Sequence, residues 1–221
     1  MHDRPRSADV PLTLTLFDPI HVRVFPVGKT SKRVWNEEDA KVWGTDRAWS
    51  STVNTHGCRV HLTFADVARW FQTDPEVVAP HRYTLTRANG STREVDLAKA
   101  AVPLMLGGTL RDDRRKGNNV ESYTVVILDV DENTTIEQAQ DELTRMGCGW
   151  LISTTISHTP ERHKFRILIP LDRPATPDEY YKIACYLLRR FGADTASASR
   201  SQAFFTPTVR LGNEHLYRTA Q

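Results

Sequence analysis

The sequence of 221 residues predicts an α+β chain whose second half is a βαββαβ unit. Three observations carry this prediction. Val125-Val126-Ile127-Leu128-Asp129-Val130-Asp131 is a run of strand formers that ends in acids. Two Thr-x-x-Glu patterns, at residues 134–137 and 176–179, read as capping boxes that open helices. Gly147 and Gly192 stand where those helices must stop. Residues 1–120 are expected to form an N-terminal α/β module, and residues 121–221 the βαββαβ unit beside it.

In the first half, residues 12–17 and 21–25 read as a short strand pair around Asp18-Pro19. Residues 63–72 read as a capped helix with Phe64, Val67, Ala68 and Phe71 facing inward. Residues 82–87 and 92–95 bracket Asn89-Gly90 as a hairpin, and residues 96–106 read as a helix bent at Pro103. Arg111-Asp112-Asp113-Arg114-Arg115-Lys116-Gly117-Asn118-Asn119 is a basic loop ahead of the acidic strand. It is either a solvated linker or a contact to a phosphate backbone through Arg111, Arg114, Arg115 and Lys116. Lys29, Lys32 and Arg33 form a weaker patch, and Trp35, Trp43, Trp49 and Trp70 suit a core better than base stacking.

In the second half the first strand is expected over residues 123–130. The helix that follows carries Ile136, Ala139, Leu143 and Met146 along one face. Strands over 150–157 and 164–171 flank a turn at Thr159-Pro160-Glu161. Pro177 then occupies the first position of a helix whose apolar stripe is Tyr180, Ile183, Ala184, Leu187 and Phe191. A last strand over 203–206 completes the order, which is that of an RRM-like or ferredoxin-like sheet.

That topology makes a geometric prediction. Strands one and two run the same way and strand three runs opposite, so Asp129, Asp131, His158, Lys164 and Arg166 converge on one edge. The segment after the second helix returns Asp194 to the same edge. Asp129 and Asp131, at i and i+2, share one face of the sheet. Like charges that close call for a neutralising cation, and paired carboxylate oxygens suit Mg²⁺ or Mn²⁺. A lone acid pair at a strand end is otherwise a solvated turn, and His158 alone could simply cap the hairpin. The set together suits phosphoryl transfer, with two divalent ions on Asp129, Asp131 and Asp194. His158, Lys164 and Arg166 would then hold triphosphate oxygens. Removing either strand-end acid is expected to relieve repulsion and raise the melting temperature of the metal-free protein.

These residues resemble the archaeo-eukaryotic primase superfamily, in particular the primase-polymerase domains of phage and plasmid replication proteins. The resemblance rests on Asp129-Val130-Asp131, Ile156-Ser157-His158 and Ala193-Asp194, and spans about residues 115–210. The segments 170–180 and 201–207 add to it. Ile156 stands where that family often has serine, with Ser157 displaced by one. The resemblance implies that the acids bind metal, that His158 meets the incoming nucleotide, and that the N-terminal module holds the template. It also implies a single-stranded DNA template or primer, dNTP or NTP substrates, and a replicative helicase, fused or separate.

Composition leaves room for this reading. The net charge of +2 is mild, and three widely spaced cysteines argue against a disulfide framework. No Cys₂His₂ spacing accompanies His56, Cys58 and His61, and no Walker A motif occurs. With no apolar run long enough to span a bilayer, the chain reads as soluble and cytoplasmic, in a bacterial host or phage-infected cell. Two other readings compete. A non-catalytic RRM-type nucleic-acid-binding module would need aromatics on its central strands, where aliphatics and acids stand instead. A rolling-circle initiator would use a tyrosine such as Tyr180 or Tyr181, but lacks the paired-histidine metal motif.

Overall fold

The computed structural model describes residues 7–17, 57–73, 75–78, 82–86, 92–96, 102–131 and 134–221. The expectations placed on residues 21–25, on Lys29, Lys32 and Arg33, on Trp35, Trp43 and Trp49, on His56 and on Asn89-Gly90 lie outside them.

The chain is a mixed α+β protein built mainly of antiparallel sheet. Its first half supplies β1 (Pro11–Phe17), β2 (Cys58–Thr63), α1 (Phe64–Thr73), β3 (Glu76–Val78), β4 (Arg82–Thr86), β5 (Thr92–Asp96), β6 (Leu104–Leu106) and β7 (Gly108–Leu110). The second half supplies β8 (Val120–Val130), α2 (Ile136–Met146), β9 (Leu151–Thr154), β10 (Phe165–Ala175) and α3 (Pro177–Phe191). The short strands β11 (Phe204–Phe205), β12 (Thr208–Arg210) and β13 (Thr219–Ala220) follow. One sheet has the order β13-β9-β10-β8-β7, and a second has the order β11-β6-β1-β2. β4 pairs with β5 as the hairpin pattern predicts, and β12 pairs with β3 in parallel.

The βαββα part of the second half forms as predicted, and its fourth strand does not. Residues 204–205 pair with Leu104-Met105 of β6 in the second sheet, and the place beside β8 is taken by β7. Each sheet therefore borrows a strand from across residue 120. Residues 104–106 were expected in a helix; they are a strand in which Leu104, Met105 and Leu106 are all buried. A short, uniformly apolar run has no period to separate the two conformations, and pairing on both sides, with β1 and β11, decides it.

The exchange depends on two glycines. A Cβ on Gly108 would sit 2.0 Å from the Ser122 carbonyl, and one on Gly107 2.4 Å from that of Val125. Both obstacles are backbone, so neither can yield. Gly108→Ala should therefore destabilise the protein by about 1–3 kcal/mol, read as a lowered urea midpoint. An unchanged midpoint would mean that β7 does not need this approach.

Helix ends follow local chemistry. Thr176 and Glu179 form the second capping box as expected, with Pro177 at the first helical turn. The first box is shifted by one residue. Thr135 is the cap and Gln138 answers it, while the Thr134 hydroxyl donates to the Phe191 carbonyl at 2.8 Å and ties α2 to α3. Gly147 and Gly192 end the helices in the left-handed region, at φ 64° and 59°. Inside α2 Ala139 and Leu143 are buried, and inside α3 Tyr180, Ala184, Leu187, Leu188 and Phe191.

Strand parity sorts the core into two layers. Val126, Leu128 and Val130 of β8, with Phe165 and Ile167 of β10, pack against α2 and α3. Val125, Ile127, Leu151 and Leu168 pack on the opposite side against Leu12, Leu14, Phe64 and Met105 of the second sheet and α1. Asp129 continues the parity of Val125 and Ile127, so the acids belong to the face turned toward the second sheet.

Candidate active site

Where the apolar packing of those two sheets ends, a cavity of about 130 Å³ opens. One wall carries Asp129, Asp131, Ser153, Ser157, Lys164 and Arg166, and the other is built by Val102, Phe205 and Pro207. The register explains the first wall. Arg166 lies opposite Asp129 on one side and Ser153 on the other, and Phe165 pairs with both Val130 and Thr154. The predicted edge therefore exists, and it brings together five of the sequence-predicted residues.

The acids are already paired. Arg166 Nε lies 2.7 Å from Asp129 Oδ1, and Lys164 Nζ lies 2.9 Å from Asp131 Oδ1. Arg166 is buried, with its side chain 6% exposed. It also donates to the Phe205 carbonyl, and its guanidinium sits 5.2 Å from the centre of the Phe204 ring. Each carboxylate has one oxygen committed to a cation, and repulsion between the acids is offset by two opposite charges.

Asp194 is placed differently from the prediction. Its main chain does return to the edge, donating from N–H to the Asp129 carbonyl at 2.8 Å. Its exposed carboxylate, however, accepts from the Ala196 N–H at 2.9 Å and caps the 3-10 turn Thr195–Ala198. Asp194 does not line the cavity. Among the described residues no group of three or more His, Cys, Asp and Glu is arranged to hold a metal ion. The local turn takes the carboxylate because a cap two residues away needs almost no loop closure.

His158 is turned away as well. Its buried ring accepts from the Lys164 N–H through Nδ1 at 3.2 Å, which leaves the ring proton on Nε2. It packs edge to face with His163 and lines a smaller neighbouring cavity with Arg210, Asn213 and Tyr217. Burial, reinforced by the positive charges of His163 and Arg218, holds its pKa below the ordinary imidazole value of 6.5. The sign follows from this lowering. The unfolded chain takes up a proton as the pH falls through about 6.5, while the native ring resists it. Stability from neutral His158 is complete above that value and declines below it. The melting temperature should fall between pH 7.5 and 5.5 more steeply in the native sequence than in His158→Asn. Equal slopes would show that the ring titrates normally.

The basic loop is only partly a candidate surface. Arg111, Arg114 and Lys116 are exposed. Arg115 is not: it is buried, its guanidinium 5.4 Å from the centre of the Phe17 ring, and its Nη2 has no hydrogen-bond partner. Asp112 and Asp113 both have positive φ and bend the loop back so that Gly57 donates to the Asp113 carbonyl. The loop precedes β8, roughly 30 Å along the strand from Asp129 at about 3.3 Å per residue.

Several residues that shape the site carried no signal in the sequence. Ser197 looks like part of a small-residue linker, yet its buried hydroxyl accepts from the Asp129 N–H at 3.0 Å. Ser153 donates to the Tyr217 hydroxyl, which donates to the Phe71 carbonyl at 2.6 Å and fastens β9 to α1. Burial pushes the Tyr217 phenol up to about 12. Tyr180, a nucleophile only under the nicking alternative, is buried, stacks on Tyr123 at 3.7 Å and donates to the Ser197 carbonyl.

The family model described as the VapE N-terminal domain matches residues 93–218. No curated protein matches the chain. The AEP domain of the primase-polymerase of cyanophage S-2L has a TM-score of 0.40 and 11% identity, over 65% of this chain and 81% of that one. The polymerase domain of Mycobacterium tuberculosis ligase D, in complex with DNA, has a TM-score of 0.37 and 11% identity, over 90% of this chain and 69% of that one. No helix among the described residues is long and apolar enough to cross a membrane.

Proposed function

We propose that this chain, which belongs to the VapE N-terminal domain family, is a nucleotidyltransferase of the primase-polymerase type acting in phage or plasmid DNA replication. The observation that carries this reading is the cavity wall on which Asp129 and Asp131 face Lys164 and Arg166. Acids for a hard cation and cations for phosphate oxygens are the two things phosphoryl transfer requires.

The donor set fits a hard divalent ion, because Mg²⁺ is commonly held by one or two carboxylates together with substrate phosphates. Asp129 and Asp131 would hold it, with Asp194 joining them only by giving up its cap on Ala196. Bound there, Mg²⁺ or Mn²⁺, one ion or two, supplies charge neutralisation for the attacking and leaving oxygens. The chain's own groups do the rest. Lys164 and Arg166 orient the triphosphate of a dNTP or NTP, and Ser157 adds a hydroxyl donor from the turn after β9. His158, whose Nδ1 is spent on Lys164, acts by holding that turn, with Nε2–H as its free donor. The reaction joins the primer 3′-oxygen to the α-phosphate as the bond to pyrophosphate breaks. Arg111, Arg114 and Lys116 contact a single-stranded template away from the reacting end, and a fused or separate helicase supplies that strand.

The test is incorporation on primed and unprimed single-stranded DNA, with dNTPs or NTPs, in Mg²⁺ or Mn²⁺. Template-dependent products that vanish on chelation are expected. No incorporation under any combination would sink the reading.

A further inference from the structure

β7 pairs with β8 only as far as Tyr123, so the ladder on that edge of β8 stops well short of the acids at its other end. Among the described residues no further strand continues it. The 3-10 turn Thr195–Ala198 takes its place. Asp194 donates its N–H to the Asp129 carbonyl at 2.8 Å, and Asp129 donates its own N–H to the Ser197 hydroxyl at 3.0 Å. Both main-chain groups of one strand residue are thus engaged by a single turn, one of them through a side chain.

The turn is itself held. Ser197 donates its N–H to the Asp194 carbonyl at 2.9 Å, and its own carbonyl accepts from the Tyr180 hydroxyl at 3.0 Å. Tyr180 is buried and stacks on Tyr123 of β8. Ser197 is 1% exposed and does not line the cavity. Burying a hydroxyl is costly unless it is hydrogen-bonded, and this one is spent on Asp129.

The position of Asp129 matters for more than stability. One of its carboxylate oxygens lies on Arg166, which leaves the other for a cation. At a strand end the direction of that second oxygen depends on the main chain behind it. Without an anchor the residue would follow Arg166, which Phe204 and Phe205 hold from the second sheet.

We infer that Ser197 is a positioning residue for the reaction: its hydroxyl, braced by Tyr180, fixes the Asp129 main chain so that the carboxylate serves the ion and Arg166 together. This rests on the nucleotidyltransferase reading. Ser197 acts through Asp129 and not on substrate.

The experiment compares Ser197→Ala and Tyr180→Phe with a control, Thr63→Ala. Thr63 also accepts from a main-chain N–H, that of Asp66 at the start of α1. Circular dichroism confirms folding of all three. In the metal-free protein, amide exchange at Asp129 is read against Leu128, which stands in the ladder to β10. That ratio should rise about fivefold or more in Ser197→Ala and stay native in Thr63→Ala. The half-saturating Mn²⁺ for incorporation at saturating dNTP should rise about tenfold in Ser197→Ala, with KM for dNTP near native. Tyr180→Phe should move both readings the same way by less. Native exchange at Asp129 in Ser197→Ala would overturn the inference. So would a Mn²⁺ requirement that is unchanged there, or raised equally in Thr63→Ala; in each case the nucleotidyltransferase reading stands. A native chain that incorporates nothing sinks that reading, and the positioning role falls with it.

Discussion

Asp129→Asn and Asp131→Asn should each reduce template-dependent incorporation by roughly 10²- to 10³-fold or more, a loss of several kcal/mol of charge stabilisation in the transition state. Both residues stand on one cavity wall at the end of β8, and Asn keeps their shape while removing the charge. The stability effects should differ. Asp131 is half-exposed, but the Lys164 side chain it pairs with is 14% exposed, so its loss should lower the melting temperature, though by less than the loss of Asp129. Asp129 neutralises a buried guanidinium, and its loss leaves Arg166 without a counter-ion. The expectation from sequence, that removing an acid relieves repulsion and stabilises the free protein, is therefore reversed for both acids. Asp129 variants should melt lower than those of Asp131. Near-native incorporation by either folded variant would refute the metal-site assignment, and a raised melting temperature for Asp129→Asn would refute the pairing.

Arg166→Ala should be the most destabilising change in the site. It strands Asp129 within its own sheet and removes two contacts to the second sheet, the Phe205 carbonyl and the Phe204 ring. Breaking such a pair should cost roughly 2–3 kcal/mol, somewhat under the fully buried figure because Asp129 is 29% exposed. For a chain of this size that lowers the melting temperature by roughly 4–12 °C. Arg166→Lys should recover the charge but not the fork that reaches Asp129 and Phe205 together, and so restore only part of the loss. A melting temperature within a degree of native for Arg166→Ala would show that the sheets are held elsewhere.

What the sequence determined by itself was local. The capping threonines, the stop glycines and the helical stripes appear where their short-range chemistry places them, with one box shifted by a residue: Thr135 and Gln138 close it while the Thr134 hydroxyl bonds the Phe191 carbonyl. Strand periodicity likewise put Asp129 and Asp131 on one face of their strand and Lys164 and Arg166 on one face of theirs, and pairing of the two strands makes these the same face of the sheet. Tertiary structure decided the rest. Whether residues 104–106 are helix or strand, and which sheet takes residues 204–205, depends on partners about a hundred residues away. Asp194, His158 and Arg115 each have the residue type the chemistry asked for. A nearby Ala196 N–H, the Lys164 N–H and the Phe17 ring engaged them first. A side chain's reactivity can be read from its type, but its direction is set by whichever donor, acceptor or ring lies closest once the chain has folded.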